Sequence, residues 1–125
     1  SNLFKLVNVI DVKVISDELH VSRDLALIKV RSDDAESRNA LTLICERFPA
    51  RIIDIGPAVA IVEITAQEDI VEAMIKELEP IGIVEMVRTG VVAMGRGVRI
   101  MEADDYRPAV EAIKEDSGSY QVYGV

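Results

Sequence analysis

Ile83 to Gly97 reads IVEMVRTGVVAMGRG, an extended apolar segment with one charge set into it and a Gly-Arg-Gly close. Alternate residues of a strand point to opposite faces. Val84 and Met86 are therefore expected on one face, with Ile83, Glu85, Val87 and Thr89 on the other. Arg88 interrupts the apolar row, and Gly90 breaks it again before Val91 to Met94 run apolar on both faces. That pattern predicts a bulge or bend near Gly90. A strand with two apolar faces needs cover on both. Helices of the same chain can supply one cover; the other needs a second sheet or a second subunit. The stretch points to a part of an assembly.

Upstream the pattern is regular. Arg23 to Arg31 (RDLALIKVR) reads as a strand, with Ala26, Ile28 and Val30 on one face and Leu25, Leu27 and Lys29 on the other. Asp33 and Glu36 have a spacing close to a capping box, which predicts a helix start. Leu41, Ile44, Cys45 and Phe48 then form one helical stripe, and Pro49 stops it. Arg51 to Ile55 and Val59 to Thr65 read as two strands around a Gly56-Pro57 turn. Thr65 and Glu68 form a second capping-box pair, and Val71, Met74, Ile75 and Leu78 a second stripe ending near Pro80 and Gly82. The order is βαββαβ over residues 23–97, an α+β, ferredoxin-like arrangement: an antiparallel four-stranded sheet with both helices on one face. Leu25, Leu27, Ile61 and Val87 fall on the opposite face. An exposed apolar patch of that kind marks an interface, so a homodimer pairing two sheets, or two edge strands, is expected.

The flanks read differently. Leu3 to Asn8 has the composition of a helix end and Val9 to Ile15 alternates as a strand. Neither can bury its apolar face alone, so residues 1–22 are expected to be the remnant of a preceding domain, with Ser16 to Ser22 its linker. Residues 98–125 form a tail: Ala109 to Asp116 suggests a short helix, Ser117-Gly118-Ser119 a break, and Tyr120, Val122 and Tyr123 an edge strand or a contact with a neighbour.

Composition narrows the function. The 125 residues are 50% hydrophobic but only 4% aromatic, so the core must be aliphatic. Fourteen basic against 22 acidic residues give a net charge of -8, a poor basis for binding nucleic acid or an anionic membrane. One cysteine rules out an internal disulfide and fits a reducing cytoplasm. No apolar run approaches the ~18 residues of a membrane span. Catalysis by a nucleophile needs a base beside it, and the single Cys and single His lie on separate elements. Cys45 sits on an apolar helix stripe and reads as structural; His20, in the linker, reads as solvent-exposed. Too few soft ligands exist for a zinc site, and helix capping accounts for Asp33, Asp34 and Glu36 more simply than a hard cation does. No catalytic set, metal site or cofactor is expected. Arg88 should find a partner in Asp54 or Glu63 on neighbouring strands, or else contact another chain. Arg96, between two glycines, reads either as part of a chain leaving a sheet edge or as a cation presented to a partner carboxylate.

The segments RDLALIKVR, RIIDIGPAVAIVEITA and IVEMVRTGVVAMGRG resemble the C-terminal domain of the small (regulatory) subunit of acetolactate synthase, also called acetohydroxyacid synthase. LFKLVNVIDV resembles the last helix and strand of the ACT domain that precedes it in that family. The resemblance implies a cytoplasmic, non-catalytic subunit in branched-chain amino acid biosynthesis. It would activate a separate thiamine-diphosphate-dependent catalytic subunit and relay feedback by an amino acid, usually valine. The family's effector loop lies early in the ACT domain and has no counterpart here, so no effector-binding residue carries over. Arg88 and Arg96 are then the candidate partner contacts, and Asp54 and Glu63 the candidate structural pair. A stand-alone small-molecule or metal-sensing module is the alternative.

Overall fold

The computed structural model describes residues 19–101 and 121–123. In order these form β1 (His20–Arg31), α1 (Ala35–Arg47), β2 (Ala50–Ile55), β3 (Val59–Ala66), α2 (Glu68–Leu78), β4 (Ile83–Gly95) and β5 (Gln121–Tyr123). The sheet order is β2-β3-β1-β4-β5. The first four strands pair antiparallel, which is the expected βαββαβ topology, and β5 adds to β4 in parallel. The readings of residues 3–15 and of a helix at 109–116 lie outside the described residues.

Alternation carries the core. Ala26, Ile28 and Val30 of β1, Val62 and Ile64 of β3 and Met86 of β4 are buried with Leu41 and Ile44 of α1 and Val71, Met74, Ile75 and Leu78 of α2. One face of the sheet thus takes both helices. Cys45 and Phe48 complete the α1 stripe at half-burial, packed against that cluster.

The helix starts differ from the expected boxes. Asp34, not Asp33, caps α1, its Oδ1 accepting from the Ser37 amide at 2.7 Å. That bond holds the Asp34 carboxyl below its ordinary pKa. Thr65 lies within β3, and the N-cap of α2 is Gln67, with no side-chain cap. The strand continues one residue further because Ala66 still pairs with Asp24.

Two irregularities in β4 set which side chains meet the core. Register slips between Lys29 and Val30, where Glu85 and Ile83 are the partners, so Val84 is the extra residue. Ile83 therefore joins Met86 against the core, and Val84 is 41% exposed. This reverses the expected placement of Ile83 and Val84. The second slip is the expected bulge: Asp24 opposes Val91 while Ala26 opposes Arg88, and Gly90 sits at φ +79°. The Leu25 amide, opposite the bulge, donates to Thr89 Oγ1 at 3.1 Å. A side chain at a positive φ is strained by roughly 1–2 kcal/mol, so Gly90→Ala is expected to lower stability by about that amount. The urea midpoint should fall at unchanged slope.

The strand β1 also begins earlier than expected. His20, Val21 and Ser22 pair with Gly95, Met94 and Ala93, so the end of the expected linker is strand. The long β4 supplies those partners, and His20 is buried at its end rather than solvent-exposed.

Candidate functional site

The even-numbered face of β1 starts polar and becomes apolar. His20, Ser22 and Asp24 are buried there ahead of Ala26, Ile28 and Val30. Asp24 is fully buried, and the Arg88 guanidinium on β4 reaches it through Nη2. The other terminal nitrogen, Nη1, donates to Glu72 Oε1 on α2 at 2.7 Å. A planar guanidinium suits this role, because its fork can serve two carboxylates at once. Burial works against the charged form of Arg88, but the hydrogen bonds and charges of Asp24 and Glu72 outweigh it and hold the group firmly protonated. The triad ties β1, β4 and α2 together immediately before the Gly90 bulge.

This placement corrects the assignment of Arg88 as a partner contact. Its side chain is only 8% exposed and is consumed inside the domain. Neither expected partner reaches it. Glu63 is two strands away on β3, where Arg51 of β2 opposes it in register and donates from Nε at 2.8 Å. Asp54 is exposed on the edge strand β2, with β3 and β1 between it and β4. Three strand spacings of ~4.8 Å put it far beyond a salt bridge. The structure therefore does not bring Asp54 and Glu63 together with Arg88. The partner is instead Asp24, an acid on the core-facing side of β1.

Arg96 is exposed in the turn that follows β4. Its amide donates to the Leu19 carbonyl at 2.8 Å and its carbonyl accepts from the Arg99 amide at 3.0 Å. Arg99 folds back over the strand end, donating from Nε to His20 Nε2 at 3.3 Å. A Cβ at Gly95 would run into the Arg99 carbonyl oxygen, so the first glycine of the Gly-Arg-Gly close is what lets the chain reverse there. Cys45 is half-buried, and burial pushes its thiol above the ordinary range. That favours the inert protonated form.

The helix-free face of the sheet carries the other candidate surface. Leu25, Leu27 and Ile61 are half-buried and Val87 is 39% exposed, as the alternation predicted. Around them Lys29 pairs with Glu85 at 3.2 Å and Arg51 with Glu63. The face is thus an apolar centre flanked by neutralised ion pairs. At its β2 side a cleft of about 280 Å³ is lined by Phe48, Pro49, Ala50, Arg51, Glu63 and Thr65. Small-molecule pockets run to ~300–1,000 Å³ with convergent polar groups, whereas here Arg51 and Glu63 satisfy each other. Among the described residues there is no cluster of three or more metal-ligating side chains, and no helix is long and apolar enough to cross a membrane.

Residues 23–97 match a family model described as the small subunit of acetolactate synthase. The chain is 40% identical over 103 residues to an acetolactate synthase small subunit of Aquifex aeolicus, covering 82% of this chain and 54% of that one. It is 43% identical over 97 residues to one from Mycobacterium bovis, covering 78% and 57% respectively. The crystal structure of an acetolactate synthase small subunit from Thermotoga maritima superposes with a TM-score of 0.60 at 41% identity, over 66% of this chain and 50% of that one. The chain spans about half the length of the curated relatives it matches.

Proposed function

The chain belongs to the acetolactate synthase small-subunit family, and from that premise we propose that it is the activating, non-catalytic part of a regulatory subunit. It docks on a thiamine-diphosphate-dependent catalytic subunit in the cytoplasm and relays branched-chain amino acid feedback received elsewhere in the protein. The observation that carries this reading is the coincidence of the matched region, residues 23–97, with the βαββαβ unit. The buried charges of that unit are spent on internal pairing, while its helix-free face offers apolar side chains with flanking charges already neutralised. Such a surface can be covered without stranding a charge. We assign that face to the catalytic subunit and Arg96, exposed at the end of β4, to a polar contact beside it. Relay requires two arrangements of the subunit with different affinities for its partner.

Titrating the chain into a purified acetolactate synthase catalytic subunit, while following acetolactate production, tests the proposal. Saturable stimulation that valine does not alter is the expected result, with feedback assigned to the rest of the regulatory subunit. Absence of both binding and stimulation would remove the activating role. Arg96→Ala should weaken stimulation while leaving the thermal transition in place; unchanged stimulation would remove Arg96 from the contact.

A further inference from the structure

The far end of the β1–β4 ladder stands apart from the rest of the sheet. His20, Val21, Ser22 and Arg23 pair with Gly95, Met94, Ala93 and Val92. Among the described residues neither run has a second neighbour. β3 pairs with β1 only from Asp24 onward, and β5 meets β4 only at Glu85, Met86 and Val87. This two-stranded arm also carries no member of the aliphatic core cluster, which stops at Ala26 on β1 and at Met86 on β4. Directly opposed residues share a face, so the buried His20 and Ser22 lie against Gly95 and Ala93. Among the described residues Ser22 Oγ is buried there without a hydrogen-bond partner. A two-stranded ribbon is marginal in water, and local stability is lowest where little apolar surface is buried. Two ties bound the arm. At its base Arg88 holds Asp24 beside the bulge, where Gly90 sits at φ +79°. At its tip the Arg96 amide donates to the Leu19 carbonyl at 2.8 Å, and Arg99 Nε donates to His20 Nε2 at 3.3 Å.

We propose that the arm, residues 19–23 and 92–99, opens as a unit, with the Gly90 bulge as its hinge and the Arg99–His20 contact as its latch. Opening stops at Asp24, which is held by Arg88 on one side and pairs with Ala66 on the other. Two consequences make the arm a switch. The chain preceding residue 19 enters at the tip, so a pull on that chain acts directly on the latch. Arg96 takes its position from the same tie to Leu19. A closed arm therefore sets Arg96 beside the helix-free face, and an open arm takes it away, while the core is common to both states. These are two arrangements of different affinity for one partner. The link to docking rests on the regulatory-subunit reading; the opening itself does not.

Native-state hydrogen exchange of the purified chain, alone and in low urea, reads the opening. The ladder amides of residues 20–23 and 92–95 should exchange together, about tenfold or more faster than those of residues 26–30 and 60–64. Their rates should depend little on urea, because opening the arm exposes little surface. Arg99→Ala removes the latch, and Gly95→Ala drives a Cβ into the Arg99 carbonyl oxygen. Each should speed the arm amides by about tenfold, the worth of one charge-assisted hydrogen bond, and leave the core amides as they were. Saturating acetolactate synthase catalytic subunit should slow the arm amides by about tenfold or more, since it takes the closed form, and leave those of β2 unchanged. Arm amides that exchange only with the core, or that ignore both substitutions, would overturn the opening. Arm exchange that stays the same in the complex would overturn its link to docking. A chain whose arm opens as described yet never binds the catalytic subunit would sink the functional proposal and leave the opening standing.

Discussion

Arg88→Met is expected to lower the stability of the domain by about 3–5 kcal/mol, the range for removing one partner of a buried ion pair. The cost arises at Asp24. Its carboxylate has no exposure, and without the guanidinium it must stay charged out of reach of water or take up a proton. Glu72 behaves differently, because its side chain is 39% exposed and can turn to water. Glu72→Gln should therefore cost no more than ~1 kcal/mol, as for an exposed pair. Arg88→Lys is not conservative here, since an ammonium cannot span two carboxylates on different elements. The decisive control is the double variant Arg88→Met with Asp24→Leu. Replacing both charges with apolar groups removes the stranded carboxylate, so most of the lost stability should return, and the double-mutant cycle should report strong coupling. Urea midpoints of the four species measure it. If Arg88→Met costs less than ~1 kcal/mol, water reaches Asp24 and the triad is not a buried lock.

Much of the fold was legible because it depends on periodicity. The stripes Leu41-Ile44 and Val71-Met74-Ile75-Leu78 and the alternation Ala26-Ile28-Val30 are direct records of burial, and the tight connections leave few topologies open. What failed was register and range. Ile83 and Val84 are both apolar, so the slip that turns Ile83 inward leaves no mark in the pattern. The Gly90 bulge did leave one, because a glycine inside a strand has few other uses. His20 looked like linker because its neighbours are polar; only the length of β4 shows that strand continues there. The pairing of Arg88 was in fact readable. Asp24 shares the face of Ala26, Ile28 and Val30, and an acid at a core-facing position is the signal to look for a buried cation. Asp54 and Glu63, the acids of the adjacent segments, are out of reach because the strand order β2-β3-β1-β4 separates them from β4. The contribution of Glu72 depends on tertiary placement and has no local signature, whereas the edge strand expected around Val122 and Tyr123 is β5.

Leu78→Ala should cost about 2–5 kcal/mol, the range for emptying a buried leucine site. Leu78 ends α2 with no exposed surface, packed in the same cluster as Ile28, Ile64 and Met86. That cluster is close-packed between the sheet and both helices, so its members cannot shift far enough to fill the gap. Ile55→Ala supplies the contrast. It also deletes aliphatic atoms, but Ile55 is 74% exposed on the β2 edge, and the change should stay within ~0.5 kcal/mol. The difference matters for the functional reading because α2 holds Glu72 near its start and Leu78 at its end. Loosening the end of the helix should also weaken its hold on Arg88. Leu78→Ala and Glu72→Gln are then expected to be non-additive, with the second change costing less in the Leu78→Ala background than alone. Strict additivity would mean that α2 moves as two independent halves, and that the triad answers only to β1 and β4.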